Sequence, residues 1–122
     1  MKRCLFVDRS NVICKVAKRI LGGPDMVVIE ASSGFDALDM CNVSMPDFIV
    51  VDAALSDISV VEFIRRVRAL ESPVKPTIML CLTEIDIGAI MRAKRAGAEG
   101  YLLKPFNRPQ LIDCFRNLQS AA

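Results

Sequence analysis

The chain has 122 residues, a length that suits one domain with a core large enough to fold unaided. Apolar residues make up 52% and charged residues 25%, which argues against disorder, and no apolar run is long enough to span a membrane. A net charge of +2 is too small to point to nucleic acid, and five scattered cysteines without any histidine argue against zinc or a disulfide framework. Free thiols and the lack of a secretory or transit segment predict a cytoplasmic protein with no membrane or nucleic-acid partner.

Short apolar runs alternate with amphipathic stretches along the chain. Cys4 to Val7 predicts a first strand that ends at Asp8 and Arg9. Ser10 is placed to cap a helix that turns Val12, Ile13, Val16, Ala17, Ile20 and Leu21 inward and stops at Gly22, Gly23 and Pro24. Met26 to Ile29 predicts a second strand, and Ser33 and Gly34 open a helix expected to bury Phe35, Leu38 and Cys41. After Pro46, the run Phe48-Ile49-Val50-Val51 is apolar at every position and closes on Asp52, the pattern of a central parallel strand covered on both faces.

Val60 to Leu70 reads as a helix with Val60, Phe63, Ile64 and Val67 buried, and Pro73 and Pro76 precede a strand over Ile78 to Leu82. Ile85 to Ala96 predicts a helix ended by Gly97, and Tyr101 to Leu103 a last strand running into Lys104 and Pro105. Asn107 and Gln110 have capping-box spacing ahead of a helix that packs through Leu111, Ile112, Phe115 and Leu118. Five strand–helix units with short connections predict an α/β fold, a doubly wound parallel sheet with helices on both faces. Residues 1–122 are expected to form this one domain, with no output domain attached.

Ligands of such sheets bind beyond the carboxyl ends of the strands. Asp8 and Arg9, Asp52, Leu82 to Glu84, and Lys104 stand at those ends, so two carboxylates and two cations should meet at one edge. Three segments there carry a resemblance: Pro46 to Asp52, Gly97 to Phe106, and Glu30-Ala31 through Gly34-Phe35-Asp36-Ala37-Leu38. In order and spacing they resemble the response-regulator receivers of two-component signalling, over essentially the whole chain.

The resemblance implies a flavodoxin-like (βα)5 fold with strand order 2-1-3-4-5. It also implies phosphoryl transfer from a histidine kinase or phosphotransfer protein onto Asp52, with Lys104 contacting the phosphoryl group and a cis bond to Pro105. Asp8 matches the first of two adjacent acids that organise Mg2+, to which Asp52 and the carbonyl of Ala54 would also contribute. Tyr101 matches the aromatic switch residue.

Several positions depart from the family pattern. Arg9 replaces the second acid, so Asp8 and Asp52 face Arg9 and Lys104 and the local charge is balanced without a metal. A unit charge 4 Å from another is worth about 4 kcal/mol at an effective dielectric near 20, and a divalent ion doubles it. With Arg9 turned inward, Mg2+ binding is expected to be weak or absent; with Arg9 in solvent, that penalty vanishes. Leu82 replaces the hydroxyl residue that meets the phosphoryl oxygen. Thr83 beside it points to the other face of a regular strand. The loop Leu55 to Val60 lacks the usual proline and glycine.

Three functional classes follow. The chain is a phosphoaccepting signal carrier, a phosphorylation-independent pseudo-receiver that binds proteins, or a small enzyme on the same architecture. The last has least support, because Asp8 to Val12 is no glycine-rich phosphate loop and Asp52-Ala53-Ala54 lacks a phosphohydrolase's second aspartate. A face of Ile90, Met91, Arg92, Lys94, Arg95 and Tyr101 is expected to meet a downstream protein target or a second copy of the chain. Lys15, Lys18 and Arg19 offer a second docking face, for a kinase.

Overall fold

The computed structural model describes residues 1–120, without the side chains of 119 and 120. Its elements run β1 (Lys2–Val7), α1 (Asn11–Leu21), β2 (Met26–Ala31), α2 (Gly34–Val43), β3 (Phe48–Asp52), α3 (Val60–Ala69), β4 (Thr77–Leu82), α4 (Ile87–Ala96), β5 (Gly100–Leu103) and α5 (Arg108–Ser120). All strand pairings are parallel, in the order β2-β1-β3-β4-β5. This is the expected flavodoxin-like fold.

Strand alternation splits the core in two. Leu5, Val7, Ile49, Val51, Ile78, Leu80 and Leu82 face α2, α3 and α4, where Ala37, Cys41, Phe63, Ile64, Val67, Ile90 and Ala93 meet them. Cys4, Phe6, Phe48, Val50, Met79, Cys81 and Leu102 face α1 and α5, against Cys14, Ala17, Leu111 and Phe115. Every residue of β3 is buried, as its unbroken apolar run predicts.

The asparagine–glutamine capping box of α5 forms as expected: the Asn107 N–H donates to Gln110 Oε1 and the Gln110 N–H to Asn107 Oδ1, both at 2.9 Å. The helix after β4 starts at Ile87 rather than Ile85, because the Asp86 side chain accepts the Ala89 N–H and fixes the N-terminus there.

Four side chains lie differently from the sequence expectation. Ser10 sits at the N-cap of α1 but makes no side-chain cap. Val12 is exposed, because the buried line of α1 runs through Cys14 and Ala17. Phe35 is exposed because α2 buries Gly34, Ala37 and Cys41, one position away, and the Arg66 guanidinium covers the Phe35 ring at 5.8 Å. Ile90, expected on a partner face, is 7% exposed and packs in the core, since the buried stripe of α4 passes through Ile90 and Ala93.

Candidate functional site

The alternation that divides the core also builds the site. Asp8 continues the Cys4–Phe6 face of β1, Asp52 the Phe48–Val50 face of β3, and Lys104 the Leu102 face of β5. Register brings the two acids level, since Val7 pairs with Val51 and each aspartate is the next residue. Asp52 pairs with Cys81 and Cys81 with Leu102, so Lys104 lies two residues beyond that rung. Its long side chain reaches back across β4.

Lys104 Nζ lies 2.7 Å from Asp8 Oδ2 and 3.2 Å from Asp52 Oδ2. Asp8 Oδ1 accepts the Ser10 N–H at 2.8 Å, and Asp52 Oδ1 accepts the Ala54 N–H at 3.0 Å. Ser10 therefore serves the site through its backbone rather than through its hydroxyl. Asp8 and Asp52, 5% and 8% exposed, are the only polar residues so deeply buried among the described residues. Each has the partners that burial of a charge demands. Burial alone would lower the Lys104 pKa, but the hydrogen bond to Asp8 and the charges of Asp52 and Asp8 outweigh it and raise it. The bond from Lys104 to Pro105 is cis.

Arg9 is exposed and makes no ion pair among the described residues. It lines one cleft with Asp8, Ser10, Asp52 and Ala54, and a second with Glu30, Asp36 and Asp39. On the far side of Asp52, a third cleft is lined by Leu82, Thr83, Glu84 and Lys104. Leu82 is buried in the α2–α4 core, and its carbonyl accepts the Lys104 N–H at 2.9 Å. Thr83 is exposed. Tyr101 is 41% exposed on β5, and Leu103 on the same strand and Ile87 and Met91 of α4 are also exposed. Met91, Arg92, Lys94 and Arg95 all face solvent, as do Lys15, Lys18 and Arg19 of α1.

Several supports of the site carry no readable sequence signal. Cys81 lies near Lys104, Asp8 and Asp52, and its thiol is pushed up to about 12, chiefly by burial and against the pull of Lys104, so it stays neutral. In the loop after Asp52, Asp57 accepts the N–H groups of Gly34 and Phe35 at 3.1 and 2.9 Å, pinning that loop to α2. Those partners are more than twenty residues away, beyond the reach of any periodicity. Gly34 is needed there, because an added Cβ would stand 2.3 Å from Ile58 Cγ2.

Among the described residues, no group of three or more acids, cysteines or histidines could hold a metal ion. The carboxylate oxygens of Asp8 and Asp52 are already engaged by Lys104 and by loop amides. Two engaged carboxylates and one carbonyl, Ala54, make a poor magnesium site, since that ion demands near-octahedral oxygen ligation. No helix among the described residues is long and apolar enough to cross a membrane.

Residues 4–116 match the family model of the response regulator receiver domain, and the chain belongs to that family. It is 25% identical to the chemotaxis protein CheY of Halobacterium salinarum over 120 residues, covering 98% of each chain. The structure of CheY4 of Vibrio cholerae superposes with a TM-score of 0.88 at 27% identity, over 96% of this chain and 98% of that one. The receiver domain of a sensor histidine kinase from Pseudomonas aeruginosa superposes with a TM-score of 0.81 at 23% identity, over 95% of each chain. That domain holds a magnesium ion in its active-site cleft.

Proposed function

We propose that this chain works as a receiver that accepts a phosphoryl group on Asp52 from a histidine kinase or phosphotransfer protein and signals by protein contact. The observation that carries the reading is the buried arrangement of Asp8, Lys104 and Asp52 at the carboxyl edge of the sheet. Asp52 opens onto clefts on both sides, so a phosphodonor has access. In the transfer, an Asp52 carboxylate oxygen bonds to phosphorus while the donor's bond to phosphorus breaks and its electron pair leaves with the donor. Lys104 is placed to meet the negative charge on the phosphoryl oxygens. Asp8, Asp52 and the Ala54 carbonyl are the groups that would hold any Mg2+.

The output surface draws on the exposed Ile87 and Met91 of α4 and Tyr101 and Leu103 of β5, with the exposed Arg92, Lys94 and Arg95 of α4, a composition that suits an acidic protein target or a second copy. A second reading, a phosphorylation-independent interaction module, draws its support from Leu82. That residue offers no hydroxyl, and it is bulkier than the small hydroxyl residue of the family pattern.

Acetyl phosphate followed by intact-mass measurement tests the first reading. The wild-type chain and Asp57→Asn and Asp47→Asn controls should gain one phosphoryl group, and Asp52→Asn should gain none while its circular dichroism stays native. Asp47 lies at the opposite end of β3, bonded to the Arg3 N–H. Labelling of Asp52→Asn, or none of the wild type, overturns it.

A further inference from the structure

We infer that Arg9 takes the place of a divalent cation in this pocket, so that Asp52 accepts a phosphoryl group without metal. The inference rests on Asp52 being the acceptor. It starts from a mismatch: the metal expected in a receiver finds two carboxylates, both already engaged, and no third acid among the described residues. In place of the missing ligand stands a permanent cation. Arg9 immediately follows Asp8 and lines the same cleft as Asp52 and Ala54.

Charge explains why the substitution can work. Two carboxylates stand against Lys104, and the exposed Arg9 on the rim of the same cleft brings the formal charges into balance before any phosphoryl group arrives. Phosphorylation converts the single charge of Asp52 into a dianionic acyl phosphate, and the pocket then has an excess of one negative charge facing two cations. Arginine presents paired N–H donors that match phosphoryl oxygens, and its charge does not titrate away in the working pH range. Its exposed side chain, unpaired among the described residues, can swing onto the incoming group without breaking an existing ion pair. Lys104, held by Asp8 and Asp52 together, supplies the second cation from the β5 side.

The test uses the whole chain with acetyl phosphate, in which the P–O bond breaks, the Asp52 oxygen bonds to phosphorus and acetate leaves. Labelling is followed by intact mass with excess EDTA and with magnesium, for wild type, Arg9→Gln, Arg9→Asp and Asp52→Asn. The wild-type rate should be the same in EDTA and in magnesium. Arg9→Gln, which removes the charge without supplying a ligand, should slow labelling at least about tenfold under both conditions. Arg9→Asp should be slow in EDTA and recover in magnesium. A wild-type rate that collapses in EDTA, or is untouched by Arg9→Gln, overturns the inference while leaving Asp52 as the acceptor. A label that survives Asp52→Asn overturns both. If no form is labelled, the acceptor reading fails, and calorimetric titration with magnesium alone decides the metal question. There, no millimolar binding by wild type and a gain by Arg9→Asp support the exchange of roles, whereas submillimolar binding by wild type refutes it.

Discussion

Lys104 Nζ stands 2.7 Å from Asp8 Oδ2, joining residues 96 apart in sequence and spanning the two strands, β3 and β4, that separate β5 from β1. The contact organises the site, because the same ammonium also lies 3.2 Å from Asp52 Oδ2. It holds two buried carboxylates side by side.

Removing that ammonium should therefore cost stability. Lys104→Met leaves two buried carboxylates without their shared cation, and a loss of about 3 kcal/mol at neutral pH is expected from breaking such a cluster. The folded pKa of Lys104 is raised, so its contribution is complete below the unfolded value and fades as pH rises through the folded one. Thermal melts from neutral to alkaline pH should show the wild type losing an advantage that Lys104→Met never had. Equal midpoints at neutral pH would contradict this.

Leu82 should uncouple Tyr101 from events at Asp52. A hydrogen bond to a charged group is worth roughly 1.5–3 kcal/mol, and swinging a two-state equilibrium from 1:99 to 99:1 takes about 5.5 kcal/mol. Leucine supplies no such bond, and its side chain is buried among the core residues under α2 to α4. The NMR signals of the Tyr101 ring should be alike before and after phosphorylation. The double variant Arg9→Asp, Leu82→Thr should regain a magnesium-dependent change. A large shift of the ring in the unmodified protein would mean that another hydroxyl, Thr83 first, drives the switch.

Arg68 clamps α3 to the segment between α4 and β5. Its guanidinium donates to the carbonyls of Pro76 at 2.8 Å and Gly97 at 2.7 Å, and to Glu99, whose other oxygen accepts the Ile78 N–H. Arg68→Ala should cost about 2 kcal/mol, the scale of hydrogen bonds to a charged group. Burial raises the Glu99 pKa against the opposing pull of the Ile78 N–H and Arg68, so losing Arg68 raises it further. Stability of the variant should consequently fall more at pH 7 than at pH 4, as read by denaturant unfolding at both values. An equal loss at both would exclude the charge contribution.

Asp57 should be a pH-sensitive tie between the loop after Asp52 and α2. Bonds from the Phe35 and Gly34 N–H groups hold its carboxyl below the usual range, so the tie is complete above the unfolded pKa and lost as pH falls through the folded one. Asp57→Ala should speed amide exchange at Gly34 and Phe35 without abolishing labelling of Asp52. Unchanged exchange at both amides would remove Asp57 from this role.

The parts of the fold that sequence made legible are those governed by short-range pattern. The unbroken apolar run of β3 showed a doubly covered strand, and the Asn107–Gln110 spacing marked the start of α5. Strand ends then drew Asp8, Asp52 and Lys104 to one edge, and the family resemblance supplied the strand order that brings them within contact. Rotation of amphipathic helices was harder to read. Phe35 and Ile90 differ from expectation by about one helical position, enough to exchange solvent for core at 100° per residue. Arg68 and Asp57 were illegible as structural ties because their partners lie on other elements and are largely backbone groups, which every residue carries.

Borohydride trapping tests most directly whether this pocket receives the phosphoryl group. The protein is treated with acetyl phosphate and then with sodium borohydride, which reduces an aspartyl phosphate to homoserine, and the site is located by peptide sequencing in the mass spectrometer. Homoserine is expected at position 52 and nowhere else, in a protein whose Asp8 and Lys104 are intact. Homoserine at position 47 or 57, or a phosphorylated chain with no homoserine at all, would contradict it.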